Sequence, residues 1–407
     1  MSSTASAPAP RTRARITTLT VIVAIVFAAV AAVGLTWLAH QGLMIFQAPD
    51  KFAYDWRHAL LSRQETSTRP DLALVMIADE TLADYPFQQP VNRRLLAALV
   101  RALDASRPKA IGIDFIFDRA TFPEQDRDLT EAIRSARTPI VLGAIDERSG
   151  ANPSGLAFQR QFFTAAGLDL QRDRIGHIYF DRGAKLDQTI RFVAPKSNTP
   201  GEVQTSFAEA LVKTGGENVH PIGEGGHIAW LQPTAADGSL AITEVIIPYQ
   251  DFKNTNPDNV LPAGLRAAIK DKIVIVGGNF PDRDRHLIPP SISDGRRVPG
   301  AWIHANVAAQ IIDGRSLRPL PAPIEMIVVG IVAFVAFIAG RYYRLKNYEI
   351  LVYFIGASVL AAIGLWLFWA RGILLPSDTI FYAGIGGITF GHYSEWLARR
   401  LPALDSD

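Results

Sequence analysis

The run NRRLLAALVRALDASRPKAIGIDFIFD, Asn92 to Asp118, decides the fold. In its first half Leu95, Leu99 and Leu103 recur at helical spacing, which predicts an amphipathic helix. In its second half AIGIDFIF, Ala110 to Phe117, reads as a buried strand, apolar but for Asp114. The pattern repeats outward on both sides. LALVMIA, Leu72 to Ala78, precedes as a strand. DRDLTEAIRSA follows as a helix with Leu129 and Ile133 on one face, and PIVLGAI, Pro139 to Ile145, as a third strand. A β-α-β-α-β order implies a parallel sheet with right-handed crossovers.

Further along, TSFAEALVKTGG reads as a helix stopped by glycine. IAWLQPTAADGSLAITEVIIPY, from Ile228 to Tyr249, reads as two strands joined in a hairpin near Asp237 and Gly238. KIVIVGG returns to the buried parallel type, and WIHANVAAQIIDG reads as a helix with Ile303, Val307 and Ile311 on one stripe. The fold class is α/β: a mainly parallel sheet flanked by helices, with an antiparallel insertion, joined to four transmembrane helices.

The membrane segments come from hydropathy. The chain has 407 residues, a formal net charge of +2 and no cysteine. So small a charge gives no reason to expect nucleic acid as a partner, and the absence of thiols excludes disulfides and thiolate metal sites. An N-terminal tail, 1–15, carries Arg11, Arg13 and Arg15 and is followed by an uncharged span, 16–39. Further spans are expected at 323–343, 349–370 and 377–397, with a tail at 398–407. The last span is the weakest because it holds His392 and Glu395. Basic residues precede the first span, fill the loop between the second and third (Arg341, Arg344, Lys346) and follow the fourth (Arg399, Arg400). The positive-inside rule therefore puts both termini in the cytoplasm of an inner-membrane protein and 40–322 outside as one domain. Small residues recur every fourth position at Ala24, Ala28 and Ala32 and at Ala383, Gly387 and Gly391, a pattern that lets helices approach closely, within one bundle or between copies.

Candidate site residues follow from the sheet. Parallel sheets bind ligands at the carboxyl ends of their strands. Asp79 ends the first strand, Asp114 and Asp118 end the second, Asp146 follows the third, and Gly277, Gly278 and Asn279 follow KIVIV. The segment GGNFPDRDRHLIPP is not a phosphate loop, because prolines rather than a helix follow its glycines. It is expected to be a crossover loop whose glycines allow a sharp turn or a close backbone approach. Its Asp282, Asp284 and His286, with His304 downstream, are the right types for a divalent metal, against which stands a plain polar loop. No nucleophile motif or cofactor fingerprint is present.

Taken together these segments resemble the CHASE domain of the second type, the cyclase/histidine-kinase-associated sensory extracellular domain. YDWRHAL after the first anchor, LALVMIADETL, the Asn92–Asp118 block, DRDLTEAIRSARTPIVLGA, KDKIVIVGGNFPDRDRHLIPP and RRVPGAWIHANVAAQIIDGRSLRPLP match in order over Phe46 to Pro321. The resemblance implies a sensor outside the membrane, and its polar pattern falls on Asp79, Arg93, Asp114, Asp284, His286 and His304 as ligand-binding candidates beside Asn279. FQQPVNRR replaces the usual Trp-Pro, Gln188 stands where glycine is common, and Ile246 to Leu265 matches poorly. The residues after the last span are too few for a fused output enzyme. The resulting expectation is a multi-pass membrane sensor or signalling subunit without catalysis, in contact with lipid, reporting to a separate membrane or cytoplasmic protein and able to form homo-oligomers through its spans. The alternatives are an extracytoplasmic metal-assisted hydrolase and a ligand-free envelope structural subunit.

Overall fold

The structure, a computed structural model, describes residues 18–64, 69–83, 85, 89–169, 174–181, 187–196, 202–232, 243–246, 261, 263–342 and 349–400. In chain order the elements are α1 (Thr18–His40), α2 (Met44–Leu61), β1 (Leu72–Ala78), α3 (Arg93–Ala105), β2 (Ala110–Ile113), α4 (Pro123–Ser135), β3 (Ile140–Ala144), α5 (Pro153–Ala165), β4 (Ile175–His177), α6 (Phe207–Thr214) and β5 (Thr243–Ile246). They continue with α7 (Ala263–Ile269), β6 (Ile273–Asn279), β7 (Arg285–Leu287), β8 (Arg297–Pro299), α8 (Gly300–Asp313), α9 (Ala322–Tyr342), α10 (Glu349–Arg371) and α11 (Ser377–Arg400). The chain forms two compact units. One is Tyr54–Arg318 together with Phe368–Ile373; the other holds α1, the start of α2, α9, most of α10 and α11.

The first unit is built on a six-stranded, wholly parallel sheet in the order β4-β3-β2-β6-β1-β5. β6 is central: Val276 is paired with Val75 on one side and Ile113 on the other. A strand flanked and covered on both sides must be apolar through its middle, which is why Ile273–Val276 carry no polar residue. Strand alternation sends Ala73, Val75, Ile77, Val274 and Val276 into one core with α3, α4, α5 and Ile269 of α7. It sends Leu72, Leu74, Met76, Ile273 and Ile275 into a second core under α6 and α8. α3 starts where the sequence signals it, because the Asn92 side chain accepts from the amides of Arg94 (3.0 Å) and Leu95 (3.1 Å) and so satisfies two free helix-end donors.

Two expectations change. Among the described residues the two strands of the hairpin read over Ile228–Tyr249 are not paired with each other. Leu231–Gln232 pairs in parallel with Arg63–Gln64, and β5 pairs in parallel with β1 as an edge of the main sheet; the proposed turn at Asp237–Gly238 lies outside the described residues. The apolar run IAWL is held by helix side chains instead. The amides of Ala229 and Leu231 donate to Gln310 Oε1 (2.9 Å) and Asn306 Oδ1 (3.3 Å) of α8, and Gln310 Nε2 returns to the His227 carbonyl (3.1 Å). The antiparallel additions are elsewhere, in the pair β7–β8 and in Phe180–Asp181 with Phe192–Val193. The glycines of GGNFPDRDRHLIPP make no turn: β6 runs through Gly277 and Gly278 to Asn279. Gly277 serves the close approach, since a β-carbon there would run into Ala301 Cβ of α8.

Among the described residues three helices are long and apolar enough to cross a membrane: Thr18–His40, Ala322–Tyr342 and Tyr353–Arg371. α11 is 24 residues long, but it falls outside that class, as its charged and polar residues imply. The small-residue stripes are consumed inside the bundle. Ala24, Ala28, Ala32 and Ala383 are buried. At Gly387 a β-carbon would lie 2.7 Å from the Ala333 carbonyl oxygen, and at Gly391 it would meet that of Phe337, so α11 rides directly on the α9 backbone. Phe27 stacks on Phe390 with ring centroids 4.9 Å apart.

Candidate functional site

The polar groups gather at the carboxyl edge of the sheet. Asp114 follows β2, and its side chain is 7% exposed. His304, on the first turns of α8, places Nε2 3.8 Å from Asp114 Oδ1. Its ring packs against Phe180 (4.5 Å) and edge-on to Phe207 (5.1 Å). Burial drives the His304 pKa down to about 3, and His177 and His286 push the same way against Asp284. The imidazole is therefore neutral. Burial also raises Asp114 well above the usual carboxylate range, and the charge of Asp284 adds to it. The pair is a protonatable acid beside a neutral base.

Asp284 sits in the left-handed region (φ 50°) at the start of β7. Its Oδ2 accepts from the Gly300 amide at 3.3 Å, at the N-terminus of α8, and Oδ1 meets His286 Nε2 at 2.8 Å. A carboxylate here complements the positive end of the helix. A β-carbon on Gly300 would lie 2.7 Å from Asp284 Oδ2, so a larger residue there would push that carboxylate aside. Asn279 ends β6 with Oδ1 accepting from Arg285 at 2.6 Å.

The structure thus brings Asp114, Asp284, His286 and His304 together and ties Asn279 to Arg285. It leaves two predicted residues apart from that cluster. Asp79 opens a short helical turn after β1, and its Oδ1 is buried without a hydrogen-bond partner. Arg93 is the first residue of α3 and 1% exposed; its guanidinium lies 4.5 Å over the Phe117 ring, with Nε 3.5 Å from Asp126 Oδ1. Burial lowers its pKa against the pull of Asp126. Arg93 is a core-spanning cation stacked on aromatics. Asp282 is exposed and paired with Arg283 at 3.3 Å. Among the described residues no three His, Asp or Glu side chains stand where they could hold a metal ion, so the set Asp282, Asp284, His286 and His304 is not assembled.

Three residues of this edge were not singled out from sequence. His177 ends β4, is buried, and has Nδ1 without a partner; burial and then Arg148 bring its pKa down to about 4. Its ring lies 4.8 Å from Tyr179, whose hydroxyl is also buried without a partner. Arg148 lies 4.6 Å over the Tyr179 ring, grips Asp146 (Nη2 to Oδ2, 2.6 Å) and donates to the carbonyls of Pro195 (2.7 Å) and Val203 (3.1 Å). Nothing local marks Arg148, since its partners come from three separate stretches of chain.

The unit is also tied to α2. Asp55, 2% exposed, forms a fork with Arg191 (2.7 and 2.5 Å), and Arg191 holds Asp187 with two further bonds of 2.8 Å. Although burial opposes it, the two carboxylates keep the Arg191 pKa raised. Tyr54 donates to the Ile228 carbonyl at 2.7 Å.

Comparison with curated proteins and with solved structures gives no match. A family model does: the CHASE2 domain matches residues 24–339. The match takes in the whole parallel sheet with its polar carboxyl edge and reaches from within α1 into α9. Spanning well over half of the chain, with membrane-length helices at both ends of the domain, it shows that this protein belongs to the CHASE2 family of extracytoplasmic sensory domains.

Proposed function

We propose that the protein is a multi-pass membrane sensor whose extracytoplasmic domain takes its stimulus at the carboxyl edge of the sheet and relays it through the membrane helices to a separate protein. One observation carries the reading. The edge holds buried polar atoms with no partner among the described residues, His177 Nδ1 and the Tyr179 hydroxyl, next to the protonatable Asp114–His304 pair. Buried polar groups are normally satisfied, and exceptions mark places that meet water, ions or ligand.

In this reading all four long helices span the membrane, α11 included. Its glycine contacts with α9 support that topology, and Arg399 and Arg400 then fall on the same side as the N-terminal arginines. The small-residue stripes are already used within the bundle, so contact with a signalling partner or a second copy falls to other faces. α10 offers one, with Phe354, Val359, Trp366 and Trp369 exposed.

The test is a thermal shift on the full chain in lipid nanodiscs against panels of small carboxylates, amines and sugars. One class should raise the melting temperature, and Asp114→Leu or His177→Leu should abolish the rise. A rise that both substitutions leave intact would place the stimulus elsewhere.

A further inference from the structure

The sensory unit contains a segment whose first residues, 368–370, the sequence assigns to the membrane. Phe368–Ile373, at the end of α10, belongs with Tyr54–Arg318. Its contacts there are specific. Phe368 is buried, and its ring stands nearly perpendicular to that of His58, at 83° with centroids 4.9 Å apart. His58 is on α2 and 1% exposed, with Nδ1 bonded to Ser62 Oγ at 3.0 Å. Gly372 accepts from the Arg318 amide at 2.8 Å and closes α10 by donating to Phe368 at 3.0 Å. Its φ of 63° and the 2.5 Å that would separate a β-carbon from the Ser316 carbonyl oxygen both require glycine. On Ser316 and Leu317 a second glycine closes in: a β-carbon on Gly223 would lie 2.6 Å from Ser316 Oγ and run into the Leu317 carbonyl. The segment that leaves the domain is thus clasped between Gly223 and Gly372, and Phe368 is clasped to α2.

We infer that residues 368–373 are a working part of the sensory domain, and that the His58–Phe368 contact with the Gly372 clasp is the joint through which the domain acts on α10. The argument is geometric and energetic. α2 continues from α1, Arg318 leads into α9, and Phe368 ends α10, so one joint gathers the chain connections of three membrane helices. Of these, α10 carries the largest set of exposed apolar side chains on its last two turns, Trp366 and Trp369 among them. A helix gripped at one end by buried, sterically closed contacts follows that grip as a unit, because packed contacts are discrete rather than continuously deformable. The direction of transmission, domain to helix, rests on the sensor reading above; the joint itself does not.

The chain has no cysteine, so one spin label can be placed cleanly. Ser358→Cys, on an exposed position of α10, is labelled in the full chain in nanodiscs, and its spectrum is compared across variants. Coupling is reciprocal. His58→Ala, a change made only in α2, should therefore shift the α10 label in the same direction as Phe368→Ala. His58→Phe, which keeps an aromatic ring, should restore the wild-type spectrum, and Gly264→Ala, in open space on α7, should leave it unchanged. Hydrogen exchange of the Gly372→Ala chain should show lost protection at Arg318 and across Tyr54–Ser62, with α3 and α4 retained as evidence of an intact fold. A label that responds to Phe368→Ala but not to His58→Ala, or exchange that changes only within 368–373, overturns the joint. No ligand enters this experiment, so an absent stimulus leaves its result standing, and a failed joint leaves the stimulus site standing.

Discussion

Asp55 and Arg191 face each other through two hydrogen bonds of 2.7 and 2.5 Å, 136 positions apart in the chain and both almost wholly buried. A fork of this kind fixes α2 against the domain in one orientation, because guanidinium and carboxylate match only when coplanar. Asp55→Ala should cost about 3–5 kcal/mol, since a buried guanidinium loses one of its two carboxylates. Arg191→Lys should not rescue the fold, because an ammonium cannot serve two forks at once. The melting temperature of the full chain, read by tryptophan fluorescence, checks both. A loss below about 1 kcal/mol for Asp55→Ala, the range of exposed pairs, would show that the fork is solvated.

Acid should destabilise the domain through its histidines. His177 and His227 are held at about 4 and His304 at about 3, each mainly by burial, against an ordinary value of 6.5. The unfolded chain therefore takes up protons that the folded chain refuses. The stability is fully present above pH 6.5 and is lost as pH falls through the folded values. For His304 the difference corresponds to roughly 4–5 kcal/mol at full titration and about 2 kcal/mol by pH 5. Asp114 has the opposite sign: its raised value contributes stability at low pH that disappears as pH rises through it. The groups around His304 are Asp114, Asp284, His177 and His286. His304→Gln should flatten the melting temperature between pH 7 and 5 while lowering it at neutral pH. An unchanged slope would mean that His304 takes up its proton in the folded chain as readily as in the unfolded one.

How much of this was legible in the sequence divides by range. β1, β2, β3 and β6 were read from apolar runs, and α3, α6 and α8 from 3.6-residue spacing, because those signals are local. The strand order was not legible: β6, late in the chain, inserts between β1 and β2, and only the register shows it. The hairpin misreading has the same origin. IAWL looks like a strand in need of a neighbouring strand, but Asn306 and Gln310 supply the hydrogen bonds from a helix more than 70 residues later. In the site, Asp114, Asp284, His286 and His304 came from strand ends and from the family pattern. Arg148, Arg191 and His177 were missed because their roles exist only once distant segments meet.

Asp284 makes a graded prediction. It accepts from the Gly300 amide and from His286, and an asparagine oxygen can still accept. Asp284→Asn should be mild, whereas Asp284→Ala should cost about 1 kcal/mol, because the Gly300 amide loses its side-chain acceptor but keeps its 3.3 Å bond to the Asp284 carbonyl oxygen. Gly300→Ala should resemble the alanine variant, because its new methyl group displaces the same carboxylate. Chemical denaturation of the three variants ranks them. Equal losses for Asn and Ala would mean that the charge, not the acceptor, is what the position supplies.

The bundle offers the last test, and it separates a packing glycine from a merely small one on the same helix. Gly387 lies where a β-carbon would be 2.7 Å from both the Ala333 carbonyl oxygen and the Ala336 β-carbon of α9. Three residues earlier Gly384 has nothing within 4 Å of that position. In lipid, helix association depends on this close approach, because the tails are as apolar as the side chains they meet. Gly387→Val cannot be accommodated by a rotamer change, since one of its obstacles is backbone; α11 must move off α9, and the Arg341–Ser394 bond of 2.9 Å should break with it. Gly384→Val should be silent. Paired cysteines at Phe337 and Phe390, on facing helices with ring centroids 6.1 Å apart, report the outcome when bridged with a short thiol cross-linker in the otherwise cysteine-free chain. Cross-linking should be strong in the parent and in Gly384→Val and largely lost in Gly387→Val. Equal yields in all three would mean that α11 is not seated on α9 through its glycines.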